Sequence, residues 1–120
     1  MYNLEQQRKP QTGRVLGLLG LAVRAGRVIF GTPMVCDAMR AGKKIYLVAE
    51  AENTSDNTHK RIVDRCTFYG VRHVRIDVST DDLAHALGKS GDLAVVAVTD
   101  QGLADGILKI LSASLGDGSI

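Results

Sequence analysis

Val28-Ile29-Phe30-Gly31-Thr32-Pro33-Met34-Val35-Cys36-Asp37-Ala38-Met39-Arg40-Ala41-Gly42-Lys43-Lys44-Ile45-Tyr46-Leu47-Val48-Ala49 joins a β-prone triplet to a helical period and then to a second apolar strand. Gly31 ends the first strand, and Thr32-Pro33 reads as an N-cap followed by proline at the first helical position. Met34, Val35, Ala38 and Met39 recur at helical spacing, and Gly42 stands where a helix-terminating glycine is expected. Strand, helix and strand make one compact unit.

Outward from this unit the alternation continues in both directions. Upstream, Val15, Leu18, Leu19, Ala22 and Val23 predict a helix over 14–25, capped by Thr12 and stopped at Gly26. Residues 1–12, polar and containing Pro10, are expected to form a flexible leader. Downstream, a loop over 50–58 leads to a helix capped by Ser55 or Asp56, with Ile62, Val63, Cys66 and Tyr69 on its core face and Gly70 at its end. A strand over 71–76 follows, then a short helix capped by Ser79 or Thr80 and stopped by Gly88. The continuous apolar run 93–98 predicts a strand buried on both faces, and a helix over 100–111 closes the fold. The expected architecture is an α/β/α sandwich with a four-stranded mixed sheet, formed by a single domain over 13–112, with residues 113–120 as a fraying tail.

The formal net charge of +2 conceals an asymmetry. Residues 1–75 carry 13 Lys or Arg against 6 Asp or Glu, whereas residues 76–120 carry 2 against 7. One basic face suits a polyanion, nucleic acid above all. With no Trp, two Phe and three Tyr, the chain has little material for a base-stacking platform, so recognition by groove or edge is expected. Cys36 and Cys66 stand among apolar neighbours without a Cys-x-x-Cys pair, as suits reduced thiols in the cytoplasm. Arg24 and Arg27 interrupt the apolar run 15–23 far short of a membrane span, so no membrane partner is expected.

No catalytic or cofactor motif stands out. Gly17-Leu18-Leu19-Gly20 lacks the spacing and the preceding strand of a dinucleotide fingerprint, and there is no phosphate-cradling loop. His59, His73, His85 and Cys66 match no common zinc spacing and are expected on the surface or on helix flanks, so neither a metal nor a cofactor is expected. Asp77, Asp81 and Asp82 suit the positive end of a helix, and Asp92 and Asp100 suit turn and cap positions. The informative group is Arg27, the Gly31-Thr32 helix start, and Arg40, Lys43 and Lys44 beyond it. Glycine permits close approach, a helix start offers N–H groups to anions, and Lys60, Arg61 and Arg65 extend the positive charge along the third helix.

These residues, in order and without long gaps, carry a resemblance. Leu18, Ala22 and Arg24-Ala25-Gly26-Arg27 are followed by Gly31-Thr32, Ala38, Arg40 and Gly42, then by Leu47-Val48-Ala49-Glu50. Asn57-Thr58, Lys60-Arg61, Cys66-Thr67-Phe68-Tyr69, Leu83, Ala86, Gly88 and the run 94–100 complete it. From about Arg14 to Leu111 the chain resembles the ribosomal protein L-seven-Ae superfamily of kink-turn RNA binders, in particular its bacterial YlxQ-like branch.

That resemblance implies a non-enzymatic protein that binds structured RNA, kink-turn or ribosomal, with the ribosome as a candidate partner; a monomeric state is expected. In such relatives the second helix enters the widened groove of a sharply bent RNA and reads guanine edges. The implied interface is Arg27, Gly31, Thr32 and Glu50, joined by Lys89 on charge. Where the best-known binders carry Asn, Glu and a basic residue, this chain has Pro33, Met34 and Asp37. An ionised Asp37 can only accept hydrogen bonds and repels phosphate, so recognition through backbone contacts and RNA shape is expected. The rival reading is a protein-interaction module on the same scaffold, acting through the acidic C-terminal half.

Overall fold

The computed structural model describes residues 10–119, with side chains as far as Ala113. Its helices and strands alternate: α1 (Pro10–Arg24), β1 (Val28–Phe30), α2 (Thr32–Arg40), β2 (Leu47–Ala51), α3 (Asp56–Tyr69), β3 (His73–Ile76), α4 (Thr80–Ala86), β4 (Val95–Val98) and α5 (Gln101–Ser119). The strands form one sheet in the order β1-β4-β2-β3. β4 runs antiparallel to both β1 and β2, and β2 runs parallel to β3, so the sheet is mixed as expected.

Strand parity divides the core into two layers. From β2 and β4, Leu47, Ala49, Ala51, Val96 and Val98 face α1, α4 and α5, where they meet Val15, Leu19, Leu83, Ala104 and Ile107. Val48, Val95 and Ala97 face the other way, against Val35, Cys36 and Met39 of α2 and Ile62 and Cys66 of α3. Apart from Glu50, the two central strands are therefore apolar on both faces, and the chain is an α/β/α sandwich. Glu50 shares the parity of Val48, which places a carboxylate on the α2/α3 side of the sheet with no solvent exposure.

Several boundaries differ from the sequence expectations. α1 begins at Pro10, inside the expected leader, and Thr12 is buried within the helix; residues 1–9 lie outside the described ones. α5 continues to Ser119, through most of the expected tail. In the sequence, Ile107, Leu111 and Leu115 keep their helical spacing across that segment. Most consequential is β2, which extends to Ala51 rather than ending at Ala49. Glu50 pairs with Arg75 and Val95, and Ala51 pairs with Ile76, so ladder hydrogen bonding outweighs the polar character of Glu50.

The caps follow simple chemistry. The Ser55 and Ser79 hydroxyls accept from the backbone N–H groups of Thr58 and Asp82, at 3.2 and 3.1 Å. The start of α2 departs from this pattern. Gly31, not Thr32, is its N-cap, with φ 89° and ψ 150° and no side-chain cap hydrogen bond, while Thr32 and Pro33 are already helical. Proline lacks an N–H, which lessens the need for a capping side chain.

Candidate nucleic-acid interface

Three connections meet at one end of the sheet. The Gly31 N–H donates to the Val95 carbonyl at 2.9 Å, and the Ala51 N–H donates to the Ala94 carbonyl at 2.8 Å. The mouth of α2, the β2–α3 connection and the α4–β4 connection thus surround the start of β4. Lys89 completes the cluster, because its Nζ stands 4.2 Å from the centroid of the Phe30 ring, next to Gly31. Pro33 and Met34 lie exposed at the first turn of α2, and Met34 is 60% exposed. Lys60, Arg61 and Arg75 are exposed along α3 and β3. Lys60 is paired with Asp64 at 3.1 Å, one helical turn along α3.

The other basic residues lie elsewhere, which corrects the expectation that they gather at the mouth of α2. Arg27 precedes β1, and its carbonyl accepts from Thr99 beyond the end of β4. Tyr46, two residues after Lys44, donates to the Val98 carbonyl at that same end. Arg27, Arg40, Lys43 and Lys44 therefore belong to the opposite end of the sheet. The nine residues of α2 separate the two ends by roughly 13 Å along its axis. At the far end a small groove brings Lys43 and Lys44 beside Tyr69, and Phe68 next to it is 80% exposed. At the end of α2, Arg40 Nη2 lies 2.6 Å from Asp37 Oδ1, so the positive charge of Arg40 is offset within its own helix.

The near end is not uniformly positive. Glu52 lies in the β2–α3 connection, and a hydrogen bond with the Asp77 carboxyl, aided by partial burial, raises its carboxyl above the usual range. Asp81 is raised in the same way by Asp92. A larger groove, of about 810 Å³, lies between α1 and α5 in the other helical layer. Leu18, Leu21 and Ile110 form its apolar floor, and Arg14, Arg24 and Lys109 its basic rim.

Glu50, expected to touch RNA from a loop, is instead sealed inside. The Thr54 hydroxyl donates to Glu50 Oε2, and His59 Nδ1 lies 2.9 Å from both carboxylate oxygens. His73 Nε2 lies 2.6 Å from Oε1, and Arg75 Nε lies 3.8 Å from Oε2. An ionised carboxylate only accepts, so the proton of each imidazole sits on the nitrogen that faces it. Burial alone would raise the Glu50 carboxyl, but the hydrogen bonds from Thr54, His59 and His73, with the charge on His59, outweigh it and hold the group below its ordinary value.

Sequence spacing missed this cluster because its members stand on β2, α3 and β3, and only parallel pairing of β2 with β3 brings His73 under Glu50. A glutamate in register with an apolar strand face was the available signal. His85 is exposed on α4, as expected. Burial pushes the Cys66 thiol up to about 11, helped by Cys36 and Glu50, so it stays protonated near neutrality.

Comparison with known proteins matches this architecture to one family. The family model described as "Ribosomal protein L7Ae/L30e/S12e/Gadd45 family" matches residues 13–107. The chain is similar to "RNA-binding protein YlxQ" of Bacillus subtilis (strain 168), 38% identical over 94 residues that cover 78% of this chain and 91% of that protein. It is also similar to "RNA-binding protein YlxQ" of Enterococcus faecium, 30% identical over 91 residues that cover 76% and 84%. Among solved structures, a Bacillus halodurans protein of unknown function superposes with a TM-score of 0.73 at 28% identity, covering 82% of this chain and 96% of the other. The Giardia lamblia 15.5kD RNA binding protein shares the fold, with a TM-score of 0.70 at 19% identity and 88% coverage of both chains. With the family model matching residues 13–107 and two relatives at least 30% identical over most of their length, the chain belongs to the ribosomal protein L7Ae/L30e/S12e/Gadd45 family.

Proposed function

We propose that this protein binds structured RNA, with a sharply bent, kink-turn-like or ribosomal element docked at the mouth of α2. The observation that carries this reading is the convergence of the Gly31 helix start, the β2–α3 connection and Lys89 at one end of the sheet. The relatives named as RNA-binding proteins support it. Gly31 lets an RNA backbone approach closely, and the N–H groups of the first turn meet phosphate or base oxygens. Lys89, Arg61 and Arg75 supply positive charge at this end. Arg27, Lys43 and Lys44 contact phosphates farther along a duplex that runs down α2. Pro33 and Met34 replace side-chain base readout with shape and apolar contact. The protein acts as a monomer, and its free buried thiols suit the cytoplasm. Among the described residues no helix is long and apolar enough to cross a membrane.

Amide chemical-shift mapping with a kink-turn RNA tests the placement. Perturbations are expected at Gly31, Thr32, Met34, Glu52, Asn53 and Gly88 to Gly91. Perturbations confined to the groove between α1 and α5 would reject it.

The carboxylates of Glu52, Asp77, Asp81 and Asp92 near the same end favour a second reading, in which the scaffold docks a basic protein partner. Pull-down before and after ribonuclease treatment separates the two, because direct protein partners survive digestion.

A further inference from the structure

We propose that Glu50, His59 and His73 form a binding site for a divalent transition-metal ion of the zinc type. One ligand atom from each residue lies within 4.8 Å of the others, at the meeting of β2, α3 and β3. Two imidazole nitrogens and one carboxylate oxygen are the donor set that zinc and its neighbours prefer, whereas magnesium and calcium take oxygen-rich shells.

The carboxylate is already oriented for this task. Oε2 is held by the Thr54 hydroxyl and faces Arg75, while Oε1 is reached by both imidazoles. A partner that fixes a ligating carboxylate is the usual outer shell of a metal site. The guanidinium of Arg75 stays on the Oε2 side, 3.8 Å away, so its charge opposes the ion without occupying the ligand vertex.

Contacts of 2.6 and 2.9 Å are hydrogen-bond distances. Zinc with ligands at about 2.0–2.1 Å needs them roughly half an ångström wider in a tetrahedral arrangement. Small side-chain rotations supply that change, because the His59 side chain is 37% exposed and β3 is an edge strand. Each imidazole then presents its lone pair to the ion and carries its proton on the other ring nitrogen. The exposed side of His59 leaves the fourth position to water, which is the arrangement of an open rather than a closed zinc site.

The test uses the full chain stripped with a chelator and titrated with Co²⁺, a spectroscopic stand-in, and then with Zn²⁺. Expected are the visible absorption of four-coordinate Co²⁺ saturating at one equivalent, displacement by Zn²⁺, and a Zn²⁺-dependent rise in the denaturation midpoint. His59→Ala and His73→Ala should each weaken binding by more than the roughly tenfold to hundredfold that outer-shell changes cost, while His85→Ala leaves it intact. Both histidines are partly exposed, so the variants should fold, and circular dichroism checks this independently. Absence of a four-coordinate spectrum, binding retained in both variants, or equal loss in His85→Ala would overturn the site.

Discussion

His73 Nε2 lies 2.6 Å from Glu50 Oε1, across the parallel pairing of β3 with β2, and ties an edge strand to the most deeply buried charge among the described residues. Removing that charge leaves its donors unmatched. Glu50→Gln would point an amide N–H₂ at Thr54, His59 or His73 and lose charge-assisted bonds worth roughly 1.5–3 kcal/mol each, part of which the amide oxygen recovers. The expected loss of stability is about 1–3 kcal/mol in chelator-containing urea denaturation. An unchanged midpoint would show that the carboxylate contributes nothing.

The same group gives the acid limb of stability a defined sign. Its folded pKa lies below the ordinary value, so the stability it contributes is fully present above about pH 4.3, the unfolded value, and is lost as pH falls through the lower folded value. Metal-free wild type should lose stability more steeply than Glu50→Gln across that acid window. Parallel pH profiles for the two proteins would contradict this.

Gly31 at φ 89° and ψ 150° occupies a region almost closed to other residues. An added Cβ would have space, with Pro33 Cδ 4.0 Å away, so the cost of Gly31→Ala is backbone strain of roughly 1–3 kcal/mol. On the proposed docking, RNA affinity should fall as well, since the methyl group would stand where the RNA backbone is expected to approach. Stability and affinity both unchanged would remove Gly31 from the interface.

Much of this was legible in the sequence. The helix and strand alternation followed from the apolar periods, and Gly70 and Ser55 behaved as terminator and cap because those positions depend on local backbone chemistry. What escaped depended on tertiary pairing. Glu50 reads as the start of a loop until β3 and β4 draw it into the sheet. The basic residues on and around α2 read as one patch until the helix length separates their two ends. Lys89 was suggested by charge alone, and the fold brings it to Phe30.

Asp37→Lys removes the exposed pair with Arg40, worth about 0–1 kcal/mol, so stability should hardly change. It releases Arg40 and adds a cation on the face of α2. Affinity for RNA should rise, and the slope of log affinity against log salt should steepen by about one for each additional phosphate neutralised. Unchanged binding would place the RNA away from this helix face.

Burial of Cys66 on the inner face of α3 makes a chemical prediction. With its thiol pushed up to about 11 and only 3% of the residue exposed, alkylation of the native protein at pH 8 should be far slower than in urea. Equal rates would mean that α3 opens readily.

Whether the near end of the sheet recognises a folded RNA is decided by fluorescence-anisotropy titration of a kink-turn RNA and a matched straight duplex at several salt concentrations, for wild type and Lys89→Ala. Tighter binding to the bent RNA is expected, with affinity falling as salt rises and a slope shallower by about one in Lys89→Ala. Weak, equal binding to both RNAs, unaltered in Lys89→Ala, would contradict RNA recognition at this end.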